Sequence, residues 1–152
     1  MEGSDSVSDF LFIQGLIAER LKVNMPDDNV FESLSESDSH GAVVGKPGIY
    51  IISAGFDVIN VAQASRHARY KQTFIVSVSV LTRKKVNTGV SFRSVAGPKI
   101  NRVLELLTGW KGEGMIKPLT PVSSGQEIYI NGLTHYPLGF ESEIIVTAVD
   151  AA

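Results

Sequence analysis

Thr73-Phe74-Ile75-Val76-Ser77-Val78-Ser79-Val80-Leu81-Thr82-Arg83 is the run on which the fold turns. Its side chains sort with a period of two. Phe74, Val76, Val78 and Val80 fall on one face, and Ile75, Ser77, Ser79 and Leu81 on the other. A period of two is the signature of a strand. One apolar face and one half-polar face argue an antiparallel sheet with the core on one side and water partly on the other. Arg83-Lys84-Lys85 ends the strand, and Asn87-Thr88-Gly89 is a turn signal.

Upstream, Ile49 to Ser53 and Phe56 to Val61 are rich in β-branched and aromatic residues, with Ala54-Gly55 between them. Gly55 is either a hairpin turn or a bulge within one long strand. Residues 62–72 are polar and irregular, which predicts a connection or a short helical turn. Downstream, residues 112–125 are rich in Gly and Pro. Glu127 to Asn131 reads as a strand, Asn131-Gly132 as a turn, and Phe140 to Val149 as a long closing strand. In that last strand Phe140, Ser142, Ile144, Val146 and Ala148 share a face.

Two helices flank these strands. Over 7–22, Phe10, Ile13, Ile17 and Leu21 recur at steps of three and four, with Leu16 beside them. Ser6 or Ser8 is the candidate cap, and Pro26 stops the helix. From Pro98 to Trp110, Ile100, Val103, Leu104, Leu107 and Trp110 form a second stripe. Pro98 suits the first helical position, and Gly109 and Gly112 mark the end. Between the first helix and the first long strand lies a polar loop, with a short strand around Val30 and Phe31. The expected fold is α+β: an antiparallel β-sheet with two helices packed on one face. The 152 residues suit a single domain, 1–152, carrying an acidic Ser-rich loop near 32–40.

Composition narrows the chemistry. There is no cysteine, so disulfides, thiolate nucleophiles and thiolate metal sites are all excluded. At 43% hydrophobic the chain can bury a core. Its longest early apolar stretch, Phe10 to Ile17, contains Gln14 and Gly15 and falls far short of the ~20 residues that span a membrane. The acidic residues ahead of it argue against an export signal. His40, His67 and His135 are far apart, and none has a helical i, i+4 partner, so no zinc motif is present. His135, beside Tyr136, reads as a surface or interface residue. The glycines match neither a P-loop nor a dinucleotide fingerprint, and no G-x-S-x-G elbow occurs. Ser33, Ser35, Ser37 and Ser39 alternate with acids as a solvated spacer. The expectation is therefore a protein without catalytic residues, cofactor or metal.

Charge is sorted along the chain. Residues 1–40 hold nine acids against two bases, a net of −7. Residues 41–118 hold twelve bases against three acids, a net of +9, and 119–152 hold four acids and no Lys or Arg. Arg66, Arg69 and Lys71 precede the central strand, and Arg83, Lys84 and Lys85 follow it. The strand between the clusters spans roughly 30 Å at ~3.3 Å per residue, so they cannot form one patch on a single edge. Each cluster is able to contact phosphate, but the interleaved aromatic needed for base stacking is limited to Tyr70. Pairing with acidic segments of the same or another copy is the favoured reading. A nucleic-acid-binding module built on the basic middle is the alternative from another class. An enzyme assembled from dispersed Asp, Ser and His residues ranks below both.

With these elements in place, the chain resembles the tail terminators and related neck proteins of long-tailed bacteriophages. The resemblance rests on several stretches. They are the N-terminal helix ending in Arg20-Leu21-Lys22 before Pro26, Gly48-Ile49-Tyr50-Ile51, and Gln72-Thr73-Phe74-Ile75-Val76-Ser77-Val78. They continue with the helix ending at Trp110, the Pro118/Pro121 segment, Ile128-Tyr129-Ile130-Asn131-Gly132, and the final strand with Phe140. It implies a structural virion protein that forms a ring, commonly of six copies, where the tail tube meets the head. It also implies partners: further copies of itself, the tail tube protein and neck or connector proteins, with DNA in the lumen a further candidate. The place implied is the virion tail or neck, and the host cytoplasm during assembly. Another neck or tail-completion protein of similar fold fits the same residues. In this frame Arg66, Arg69, Lys71, Arg83, Lys84 and Lys85 become candidate subunit-interface or lumen contacts.

Overall fold

A computed structural model of the chain describes residues 7–32, 46–60, 66–82, 92–130 and 132–149, with the backbone alone at Asn60 and Phe92. The Ser-rich acidic loop beyond Glu32, the Arg83-Lys84-Lys85 cluster and the Asn87-Thr88-Gly89 turn lie outside these residues. In chain order the elements are α1 (Phe12–Asn24), β1 (Val30–Phe31), β2 (Gly48–Asn60), β3 (His67–Leu81), α2 (Phe92–Leu107), β4 (Thr120–Val122), β5 (Ile128–Ile130) and β6 (Leu133–Thr147). The strands form one sheet in the order β1-β2-β3-β6-β4, and β5 also pairs with β6. All ladders are antiparallel except β1 with β2. The expected α+β architecture is therefore present.

The core follows the alternation of β3. Phe74, Val76, Val78 and Val80 are buried, together with Ile49 and Ile51 of β2 and Phe140 and Ile144 of β6. Against this face lie Ile13, Ile17 and Leu21 of α1, and Val103 and Leu107 of α2. Arg20 ties the helices together: its Nε donates to the Leu106 carbonyl at 2.6 Å, and its guanidinium lies 4.9 Å from the Trp110 ring centroid.

Several boundaries depart from the sequence reading. α1 begins at Phe12, because the segment ahead of it is used elsewhere. Val7 donates to the Ile145 carbonyl at 3.1 Å, and Gln72 Nε2 donates to the Phe10 carbonyl at 2.6 Å, so these two bonds tie the segment to β6 and β3. Gly55 is a bulge: β2 continues through it at φ 110° with a register shift between Ser53 and Phe56. Residues 67–72 are strand, not connection. His67, Arg69 and Lys71 alternate with Ala68, Tyr70 and Gln72, and the polar residues of the outer face mask the pattern.

α2 starts six residues before Pro98, which therefore sits inside the helix on its exposed side. β6 starts at Leu133 and runs through Pro137. Pro137 is tolerated because it falls between β4, paired with residues 139–141, and β5, paired with residues 133–135. Ser124 Oγ caps its carbonyl at 2.7 Å. β4 lies within the Gly/Pro-rich passage that gave no strand signal.

The second face of β3 is drier than its serines suggest. Ser77 and Ser79 are buried. Tyr50, opposite Ser77, is itself buried and stacks on Phe31 with ring centroids 4.7 Å apart.

Candidate interaction surfaces

The outer face at one end of the sheet is a lattice of charges. Antiparallel pairing sets Arg69 and Lys71 of β3 beside Glu141 and Glu143 of β6. Arg69 Nη1 lies 2.9 Å from Glu143 Oε1, Lys117 Nζ 3.1 Å from Glu143 Oε2, and Lys71 Nζ 3.8 Å from Glu141 Oε2. Burial pushes the Glu143 carboxyl up. The hydrogen bonds and charges of Lys117 and Arg69 together outweigh this and hold it below the usual carboxylate range. Beside it an open cleft of about 380 Å³ is lined by Arg69, Lys111, Met115, Ile116, Lys117 and Ile145.

Of the six basic residues picked from sequence, Arg69 and Lys71 are thus engaged with acids of their own chain. Arg66 is exposed at the start of β3, and its carbonyl accepts the Ala148 N–H at 2.7 Å. The other three lie outside the described residues.

Among the described residues, the two histidines build no reactive centre, and His40 lies outside them. His67 Nδ1 is 2.9 Å from Thr147 Oγ1, and His135 Nδ1 is hydrogen-bonded to Ser79 Oγ. His135, read from sequence as a surface or interface residue, is half-buried on β6. Burial lowers its pKa. Among the described residues, no three His, Cys, Asp or Glu side chains come together to hold a metal. No helix there is long and apolar enough to cross a membrane.

What sequence reasoning missed is apolar. Seven of the eleven large hydrophobic residues exposed among those described sit at two corners of the sheet. Phe56, Val58 and Ile59 occupy the far end of β2, where Phe56 also packs on Phe10 at 4.9 Å between ring centroids. Leu81, Ile128, Tyr129 and Ile130 occupy the diagonally opposite corner. The available signal was the unbroken Ile128-Tyr129-Ile130, since a three-residue strand without alternation has no buried face to account for it.

The described residues thus form an α+β sheet protein with two exposed apolar strand ends. The family model for the phage tail terminator protein matches residues 10–150, and the chain belongs to that family. It is a structural protein of the phage tail and a component of the virion, from a family of structural proteins and not of enzymes. The match bears out the resemblance carried by the sequence. No curated protein matches the chain.

Proposed function

We propose that copies of this chain form a ring, six being the number the resemblance implies, that caps the open end of the tail tube and joins it to the neck. The observation that carries this reading is the pair of unlike apolar corners on one subunit. A contact between two different surfaces of identical copies is heterologous, and heterologous contacts close into rings when the rotation permits. Occupying the end of a growing tube stops its growth by shape and affinity, so no chemistry is required. Arg69 and Lys71 then act by fixing the sheet's charged end, while Arg83, Lys84 and Lys85 supply subunit or lumen contacts, with Arg66 beside the first corner. DNA passing through the lumen is a further contact in this reading.

The test is the mass of the purified protein by light scattering, followed by its position in intact particles. Several copies at the head-proximal end of the tube support the reading, as do tubes of uncontrolled length when the protein is missing. One copy per particle contradicts it, and a position elsewhere in the neck or tail assigns a different completion role. Charge reversal of Arg83, Lys84 and Lys85 together should weaken ring formation. Unchanged assembly in solution scattering removes those residues from the interface.

A further inference from the structure

We infer that the free half of β2 in one copy pairs edge to edge with β5 of the next copy, continuing the sheet across the subunit boundary. The inference rests on the ring reading and names its contact.

Among the described residues, the outer edge of β2 is closed only at its start. β1 covers Ile49 and Tyr50. Gln14 then caps the end of that short ladder, donating from Nε2 to the Ile51 carbonyl at 2.9 Å and also to the Glu32 carbonyl. Beyond Ser53, no strand among the described residues pairs with the outer edge of β2. The bulge at Gly55 turns this half of the strand, and Phe56, Val58 and Ile59 are 57%, 56% and 43% exposed. An unpaired apolar edge of this kind is a template for another strand.

Two short strands on the opposite side of the sheet offer an edge. β4 is blunted by Pro121, which has no N–H to give. β5 has no proline and, among the described residues, pairs with β6 alone, and its Ile128, Tyr129 and Ile130 are 52%, 59% and 45% exposed.

Strand direction agrees. β2 is antiparallel to β3, β3 to β6, and β6 to β5, so β5 runs against β2. A rotation that carries the sheet around a ring preserves this sense, and the next copy's β5 meets β2 antiparallel, the more stable ladder. Across the sheet, β5 lies level with Gly48, because Ile128 pairs with His135, which faces Ser79, which faces Gly48. The free half of β2 is roughly 25 Å further along at ~3.3 Å per residue. Successive copies are therefore staggered along their strands, as closed sheets require.

The area explains why the occupant is a copy in a ring and not a single dimer mate. Each corner is a patch on the order of 300 Å². One contact then removes roughly 600 Å² from water, below the ~1,200 Å² of a stable pairwise interface. A copy inside a closed ring makes the contact twice, once with each corner, and closure makes the last contact intramolecular.

The absence of native cysteine gives a direct test. The double variant Val58→Cys with Tyr129→Cys, both at exposed positions, is incorporated into particles and oxidised. The expected result is a ladder of disulfide-linked multimers, with each single variant giving none. Particles that hold several copies but yield no ladder overturn the edge pairing while leaving the ring reading standing. A cross-link to another tail protein overturns it in favour of that partner. One copy per particle overturns both. If the double variant is misfolded by circular dichroism, Tyr129→Asp replaces it. This variant should lower incorporation at least tenfold, whereas Val23→Asp, exposed on α1 away from both corners, should not. Equal incorporation of the two variants refutes the pairing.

Discussion

Arg69 and Glu143 meet diagonally across the β3–β6 ladder, Nη1 to Oε1 at 2.9 Å, although the register partner of Arg69 is Ile145 and that of Glu143 is Lys71. Lys117 reaches the other carboxylate oxygen at 3.1 Å, so one half-buried acid gathers two cations from separate parts of the chain. Its folded-state pKa lies below the unfolded value. Its contribution to stability is thus fully present above the unfolded carboxylate pKa and is lost as pH falls through the folded one. Glu143→Gln should cost about 1–2 kcal/mol near neutral pH, the range for hydrogen bonds to a charged group at a partly exposed site. The deficit against wild type should shrink as pH falls below about 4. Urea unfolding at a series of pH values measures both. An undiminished gap in acid contradicts the account.

His135 adds to acid sensitivity at a higher pH. Burial lowers its pKa, and the neutral ring is held by Ser79. Between the folded and unfolded values the unfolded chain binds the proton first, so stability falls as pH drops below about 6.5. Denaturant midpoints should decline between neutral pH and about pH 5.5, and the decline should be shallower in His135→Gln. Parallel profiles for the two proteins refute this role.

How much of this was legible in the sequence depends on which face a residue serves. Phe74, Val76, Val78 and Val80 declared their strand because a dry face lies beside a polar one. Residues 67–72 did not, since Arg69 and Lys71 look like loop residues until Glu141 and Glu143 are placed beside them. Pro98 reads as the start of a helix, yet it lies inside α2 on an exposed side, and Pro137 lies within β6 in a gap between short edge strands. The basic residues were visible, but their partners were not, because ion pairing depends on strand register. The exposed corners were hidden for the opposite reason: Phe56, Val58 and Ile59 read simply as strand residues, and only the sheet order shows them at an open end.

Gly139 is a position where space and not backbone angle demands glycine. A Cβ there would lie 2.8 Å from the Val122 carbonyl oxygen and 3.0 Å from Ser124 Cβ. The first of these is backbone of β4, which cannot swing aside as a side chain would. Gly139→Ala should push β4 from β6 and cost about 1–3 kcal/mol, the usual range for overpacking. Hydrogen exchange should be faster at the Thr120 and Val122 amides, with little change in α1. Wild-type protection at those amides argues against this packing.

The basic middle of the chain makes a final, opposing case testable. Arg69, Lys71, Lys99, Arg102 and Lys117 each have a carboxylate partner in their own chain. A phosphate must compete with these partners, so the net charge of the segment overstates what it offers to DNA. Each phosphate neutralised contributes about −0.9 to the slope of log K against log salt on duplex DNA. The purified protein should bind duplex DNA weakly, with a slope shallower than about −3, the contribution of three contacts such as Arg83, Lys84 and Lys85. Replacing those three with alanine should flatten it further. A slope steeper than about −5 means that the paired cations also reach phosphate, and the basic segment is then a nucleic-acid footprint and not a subunit contact.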